Sequence, residues 1–161
     1  MKYSWLLLLL CVSLQGTCKS RQAPTAPLVF IGSTACDGFI RQLMDIPASV
    51  ECDKIKWQLT LYADSAGVRL FTAAYTWGVQ QVNAQGFVNN GQTQQVQGTW
   101  AVERGTATDT TAIVYILHAA TAKQPMLLIK VDDNILHFLY SDRHLLIGNA
   151  GWGYSLSRVQ Q

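Results

Sequence analysis

Residues 36–61 read CDGFIRQLMDIPASVECDKIKWQLTL, and a change of period inside this stretch decides the fold. In its first half Phe39, Ile40, Leu43 and Met44 recur at the three- and four-residue spacing that places side chains on one face of a helix. Ser33, Thr34 and Asp37 are candidate N-caps, and Pro47 supplies a stop. From Lys54 the period becomes two. Ile55, Trp57, Leu59 and Leu61 alternate with Lys54, Lys56, Gln58 and Thr60, as in a strand with one face buried and the other in water. Cys36 and Cys52 bracket the helical half, so the stretch reads as a small helical insert fastened to the first long strand of a barrel.

What the cysteines do depends on the compartment. Residues 1–17 have the form of a secretory signal peptide: Lys2, an apolar run over residues 5–14, then Gln15, Gly16 and Thr17 as a polar, small-residue end. The run is short against the roughly 20 apolar residues of a membrane-spanning helix. Export is therefore expected, with Cys11 lost in the leader. Cys18 is a lipidation candidate, because a cysteine just after an apolar leader is where a bacterial lipoprotein is cleaved and acylated. Leu14 stands four positions before it rather than the usual three, so two expectations remain: a membrane tether through lipidated Cys18, and plain secretion with Cys18 unpaired or later removed. Cys36 and Cys52 are left as an even pair in an oxidising compartment, and a disulfide between them is expected. Two buried thiols, or a metal-binding or redox pair, are the alternatives, and the absence of any CxxC spacing weighs against metal and redox use.

The 161 residues fit one domain. Charged residues are 14% of the chain and the formal net charge is +2, which suggests no basic face for nucleic acid. Residues 18–28, with Arg21, Pro24 and Pro27 among small polar side chains, read as a flexible tether, and residues 29–161 as the domain. After a short first strand over residues 28–31, the strand from Lys54 returns as a hairpin over residues 68–75 through a turn at residues 64–67. Residues 77–95, rich in Gly, Asn and Gln, read as a long loop, either a connector or a ligand-facing lid, with Phe87 as its plug or anchor. Val96, Gly98, Trp100 and Val102 then alternate with polar or small residues. Apolar segments follow at residues 112–117, 126–131, 135–140 and 145–147, before a closing strand at residues 152–158. Asp132, Asp133 and Asn134 form one tight turn between them, and Ser141, Asp142 and Arg143 another. The expected fold is all-β: a small antiparallel up-and-down, lipocalin-like β-barrel of about eight strands with one short N-terminal helix. Closure suits a chain with few charges to guard a sheet edge.

The segments FIGSTACDG, KIKWQLTL, VQGTWAV, VDDNILHFLYSDRHLLIGN and GYSLSR, in that order in an exported chain, resemble the N-terminal barrel of the copper-resistance lipoprotein NlpE and the NlpE-like envelope proteins, in the form found in Bacteroidota. The resemblance spans residues 30–159. It implies a lipocalin-like barrel held at the outer membrane or in the periplasm, and a role in envelope stress or copper tolerance. One departure is chemical. The family carries an early CxxC, whereas Cys36 is followed by Asp37, Gly38 and Phe39, so the family's metal-handling pair does not carry over.

No GxSxG, HExxH, P-loop or glycine-rich dinucleotide fingerprint occurs, and a non-enzymatic protein without cofactor or metal is expected. His137 and His144 could approach each other across the turn at residues 141–143, and Asp132 with Asp133 is a carboxylate pair inside a turn. Trp57, Trp77, Phe87, Trp100, Trp152 and Tyr154 are the candidate ligand-lining residues, with filling of the barrel interior as the alternative. The expected partner is an envelope protein or a small apolar ligand.

Overall fold

A computed structural model describes residues 26–160 of the chain, so the signal peptide, the lipidation candidate Cys18 and most of the tether lie outside the described residues. The elements are β1 (Leu28–Ala35), α1 (Gly38–Leu43), β2 (Lys54–Ala63), β3 (Arg69–Gly78), a single 3-10 turn (Val88–Asn90), β4 (Gln92–Arg104), β5 (Ile113–Ala119), β6 (Met126–Lys130), β7 (Ile135–Leu139) and β8 (Ser155–Arg158). The strands form a closed barrel in which each pairs antiparallel with its neighbour in sequence, and β8 returns to β1 at Phe30, Ile31 and Gly32. The expected architecture is the observed one.

The register carries a stagger. Followed from Leu156 through β1, β2 and β3 it reaches Gln94, and through β7, β6 and β5 it reaches Arg104; the two points lie about ten residues apart on β4. The strands therefore tilt, and β4 runs past the end of β5: Gly98 pairs with Ala119, while residues 92–97 pair only with β3. Two glycines permit close strand contact. A Cβ on Gly98 would lie 1.9 Å from the His118 carbonyl oxygen, and one on Gly32 would lie 2.5 Å from that of Ser155.

Alternation sends one face of each strand inward. Phe30, Ile55, Trp57, Leu59, Leu61, Phe71, Tyr75, Leu117, Leu128, Leu136, Phe138 and Leu156 build a continuous core. On the outside of β5–β7, Val114, Ile116, Leu127 and Leu139 make a second buried cluster. There the segment after β7 is tied to the end of β4: Arg143 donates to the carbonyls of Arg104 and Gly105 and pairs with the Glu103 carboxylate.

Several boundaries differ from expectation for physical reasons. Leu28, where the expected tether and the expected first strand overlap, belongs to the strand: it is the first residue of β1 and pairs with Leu61. β1 continues to Ala35, so Thr34 is a buried strand residue; Asp37 is the true N-cap, its carboxylate accepting from the Ile40 N–H at 2.9 Å. The long loop shrinks to residues 79–91, because β3 runs to Gly78 and β4 begins at Gln92. Residues 145–147 are not a strand: Leu145 makes one isolated bridge to Leu139, and Leu146 N–H bonds to the Phe138 carbonyl before the chain leaves again.

Candidate functional site

The connection between β1 and β2 closes one mouth of the barrel. Cys36 follows the last residue of β1 and Cys52 lies two before the first of β2, and the two are joined by a disulfide with a Cα–Cα distance of 5.7 Å. The expected bond is thus the neck of a cap. Above the neck, Ile40, Leu43, Met44 and Ile46 turn inward and are buried against the barrel core. Phe39 instead packs edge-on against Tyr140, with ring centroids 4.8 Å apart.

Two polar groups give the cap its shape: Asp37, an N-cap candidate in the sequence, and Arg41, which did not stand out there. Arg41 donates to five main-chain carbonyls, those of Cys36, Pro47, Ala48, Val50 and Cys52, at 2.8 to 3.3 Å. Its planar fork suits this, since it offers five donors in fixed directions. Asp37 caps the helix with one carboxylate oxygen and accepts the Tyr154 hydroxyl with the other, tying the cap to the chain just before β8.

Tyr154 carries a pH consequence. Burial, and then its hydrogen bond to the Asp37 carboxylate, raise its phenol well above the ordinary tyrosine range. A proton held more tightly in the folded state stabilises fully below the unfolded value, near pH 10, and that contribution is lost as pH rises through the higher folded value. Denaturation followed from pH 8 to 12 is expected to show stability falling above about pH 10. In Tyr154→Phe this fall should flatten, and stability at pH 7 should drop by about 1.5 kcal/mol for the lost bond to a charged acceptor. An unchanged alkaline slope in the variant would assign the effect to other tyrosines.

Between the cap and the far side of the mouth lies a cavity of about 230 Å³. It exists because β4 overhangs β5, leaving a gap that the end of the cap only partly fills. Phe71, Tyr75, Leu117 and Met126 form its apolar floor, and Leu43 and Met44 of the cap its near wall. Asp45, Gln94, Thr121 and Gln124 make the rim polar. The Tyr75 hydroxyl donates to Gln94 Oε1 at 2.6 Å, and burial followed by the nearby Asp45 charge raises its phenol. An outer cleft between the cap and the β5–β6 turn opens onto the same rim, with Lys123 on its far side.

The six aromatic candidates do not line this cavity. Trp57 fills the interior: its indole donates to the Thr34 hydroxyl at 2.9 Å, and its ring lies 5.4 Å from Tyr75 and 5.2 Å from Phe138. Trp77 is buried in the same core, and its indole N–H has no partner among the described residues. Trp100 is half-buried toward the opposite end, packed on Tyr115 with Arg69 over its ring. Trp152 sits in the loop before β8 beside Lys54, and Tyr154 is the cap's anchor. Phe87 packs on Gly78 and Gly91 with Lys56 over its ring, so it anchors its loop at the rim rather than plugging the mouth. The rim residues were missed because Gln94 looked like loop and Asp45 like the end of a helix; β3 pairing with Gln94 is a long-range property that no local pattern reports.

The polar candidates are dispersed. His137 is held at both ring nitrogens, by Ser155 Oγ at 2.9 Å and the Leu146 carbonyl at 2.8 Å, and His144 pairs with Asp142, so the two histidines do not converge. Asp132 accepts from the Asn134 N–H in the expected turn, and Asp133 pairs with Lys130. Among the described residues no group of three His, Cys, Asp or Glu side chains could hold a metal ion.

Compared with models of protein families, with curated proteins and with solved structures, the chain matches none. Its function must be argued from its own residues. The feature that stands out is a filled barrel with a small amphipathic cavity under a disulfide-closed cap.

Proposed function

We propose that this is a non-enzymatic protein exported to the cell envelope, of the NlpE-like type, that acts by binding at the capped mouth of its barrel. The observation that carries the export half is the Cys36–Cys52 bond, since such a bond persists in oxidising compartments. With both sulfurs in that bond, neither Cys36 nor Cys52 offers a thiolate to copper, which favours binding at the mouth over metal handling by this pair. The binding half is supported by the cavity, an apolar floor with a few polar groups at its rim. Lipid attachment through Cys18 is the proposed anchor. Labelling of the full chain with radioactive palmitate, followed by cell fractionation, tests the proposal. The protein is expected in the envelope fraction, with label that disappears in Cys18→Ala. Recovery of the wild type in the cytoplasm with free thiols would overturn export, and an unlabelled envelope protein would remove only the lipid anchor.

A second reading, a lipocalin-type carrier of a small apolar ligand, is favoured by the same cavity. Its depth limits the cargo. Trp57, Phe71 and Phe138 occupy the interior where a lipocalin would hold a long ligand, so haem or an extended fatty acid has no room without repacking.

A further inference from the structure

We propose that the mouth cavity takes a compact organic cation: a primary ammonium head on a body no larger than one aromatic ring or a short branched alkyl chain. This inference rests on the reading above, that the capped mouth is the binding end. Size sets the body. A cavity of about 230 Å³ exceeds the roughly 150 Å³ that holds benzene and falls short of the roughly 300 Å³ at which drug-sized sites begin.

Charge sets the head. Among the described residues that line the cavity, Asp45 is the one acidic side chain, and no Lys, Arg or His joins it. Asp45 and Tyr75 both line the cavity, and burial first, then the Asp45 charge, raises the Tyr75 phenol. Lys123 faces Asp45 at 4.0 Å but lies on the outer cleft, not in the cavity, and both side chains are more than nine-tenths exposed (92% and 94%). An exposed pair of this kind is worth little, so an incoming ammonium displaces Lys123 at small cost. A carboxylate head would instead sit beside the carboxylate of Asp45. Gln94 Oε1 accepts one hydrogen bond from Tyr75 and has a second lone pair free to accept from an ammonium. Below the head, Phe71 and Tyr75 offer aromatic rings and Met126 a thioether, which suit both a cation and an apolar body.

Calorimetric titration of the purified protein with 2-phenylethylamine, 2-phenylethanol and 3-phenylpropionate separates the head groups on similar bodies. Tryptophan fluorescence provides a second readout, because Trp57 packs against Tyr75 at the cavity floor. The amine is expected to bind about two-fold more tightly than the alcohol, the gain of one exposed ion pair, and the acid most weakly. Asp45→Asn should abolish that preference, bringing the amine and the alcohol to the same affinity. The backbone at Asp45 has φ of 54°, a conformation that asparagine adopts readily, so the variant keeps the turn. Ala119→Leu, which fills the cavity wall, should remove binding of all three. Equal or tighter binding of the alcohol or the acid, or a preference that survives Asp45→Asn, overturns the ligand class while leaving the mouth as a binding site. Amine binding that survives Ala119→Leu places the site elsewhere and overturns the inference. No binding of any probe at millimolar concentration overturns both the inference and the mouth as a binding end.

Discussion

Replacing Phe138 with alanine is expected to lower the stability of the domain by about 4 kcal/mol, within the range for truncating a fully buried aromatic side chain. Phe138 has no solvent exposure, its ring lies 5.2 Å from that of Trp57, and its inward neighbours Leu128, Leu136 and Leu156 are likewise fully buried. The void cannot collapse easily. Every strand of the barrel is hydrogen-bonded on both sides, so no strand can shift inward without breaking a ladder. Phe138 also sits where main-chain bonds converge, its N–H donating to the Tyr154 carbonyl at 2.9 Å and its own carbonyl accepting from Leu146 at 3.2 Å. Urea denaturation of wild type and variant gives the difference directly, and Phe138→Leu should lose about 1.5 kcal/mol because more of the volume is kept. A loss below 1 kcal/mol for the alanine variant would mean that the interior is not packed around this ring.

The second large effect belongs to the neck of the cap. Cys36→Ala with Cys52→Ala removes a bond that closes a loop of about 17 residues, and the chain-entropy account assigns such a closure about 3 kcal/mol. Thermal unfolding with and without the bond measures it. The far-ultraviolet dichroism of the double variant should remain that of a β protein, because the eight-stranded ladder does not pass through the bond. A loss near zero would mean that the contacts of Arg41 and Asp37 already hold the cap shut in both states.

Much of the barrel was legible because its central strands obey a local rule. Residues 55–61 alternate cleanly since β2 is buried inside and wet outside along most of its length. Asp132, Asp133 and Asn134 were legible because their turn is made by the Asp132 side chain itself. β5 and β6 were harder to read as half-buried strands. Val114, Ile116 and Leu127 belong to an outer buried cluster, so these segments are apolar on both faces and show no period. The first turns of β4 were misread for the opposite reason: at the mouth, Gln92 and Gln94 occupy inward positions without being buried, and the alternation has nothing apolar to display. The candidate site was less legible still. Its aromatic candidates are core, and the cavity is made by a stagger between strands far apart in sequence, which brings Gln94 of β4 opposite Asp45 of the cap.

Arg41 has a consequence for how this domain can change. All five of its bonds end on main-chain oxygens, which every amino acid supplies, so these bonds hold the cap at Ala48 without reference to its exposed side chain, whereas Val50 also packs against the core. The cap is in this sense a frame with an interchangeable surface. Substitutions at the exposed residues 48 and 49 can alter what the rim presents to the outside while the guanidinium keeps the frame in place, and a library randomised at those two positions on an Arg41 background offers a route to retargeting the mouth without redesigning the barrel.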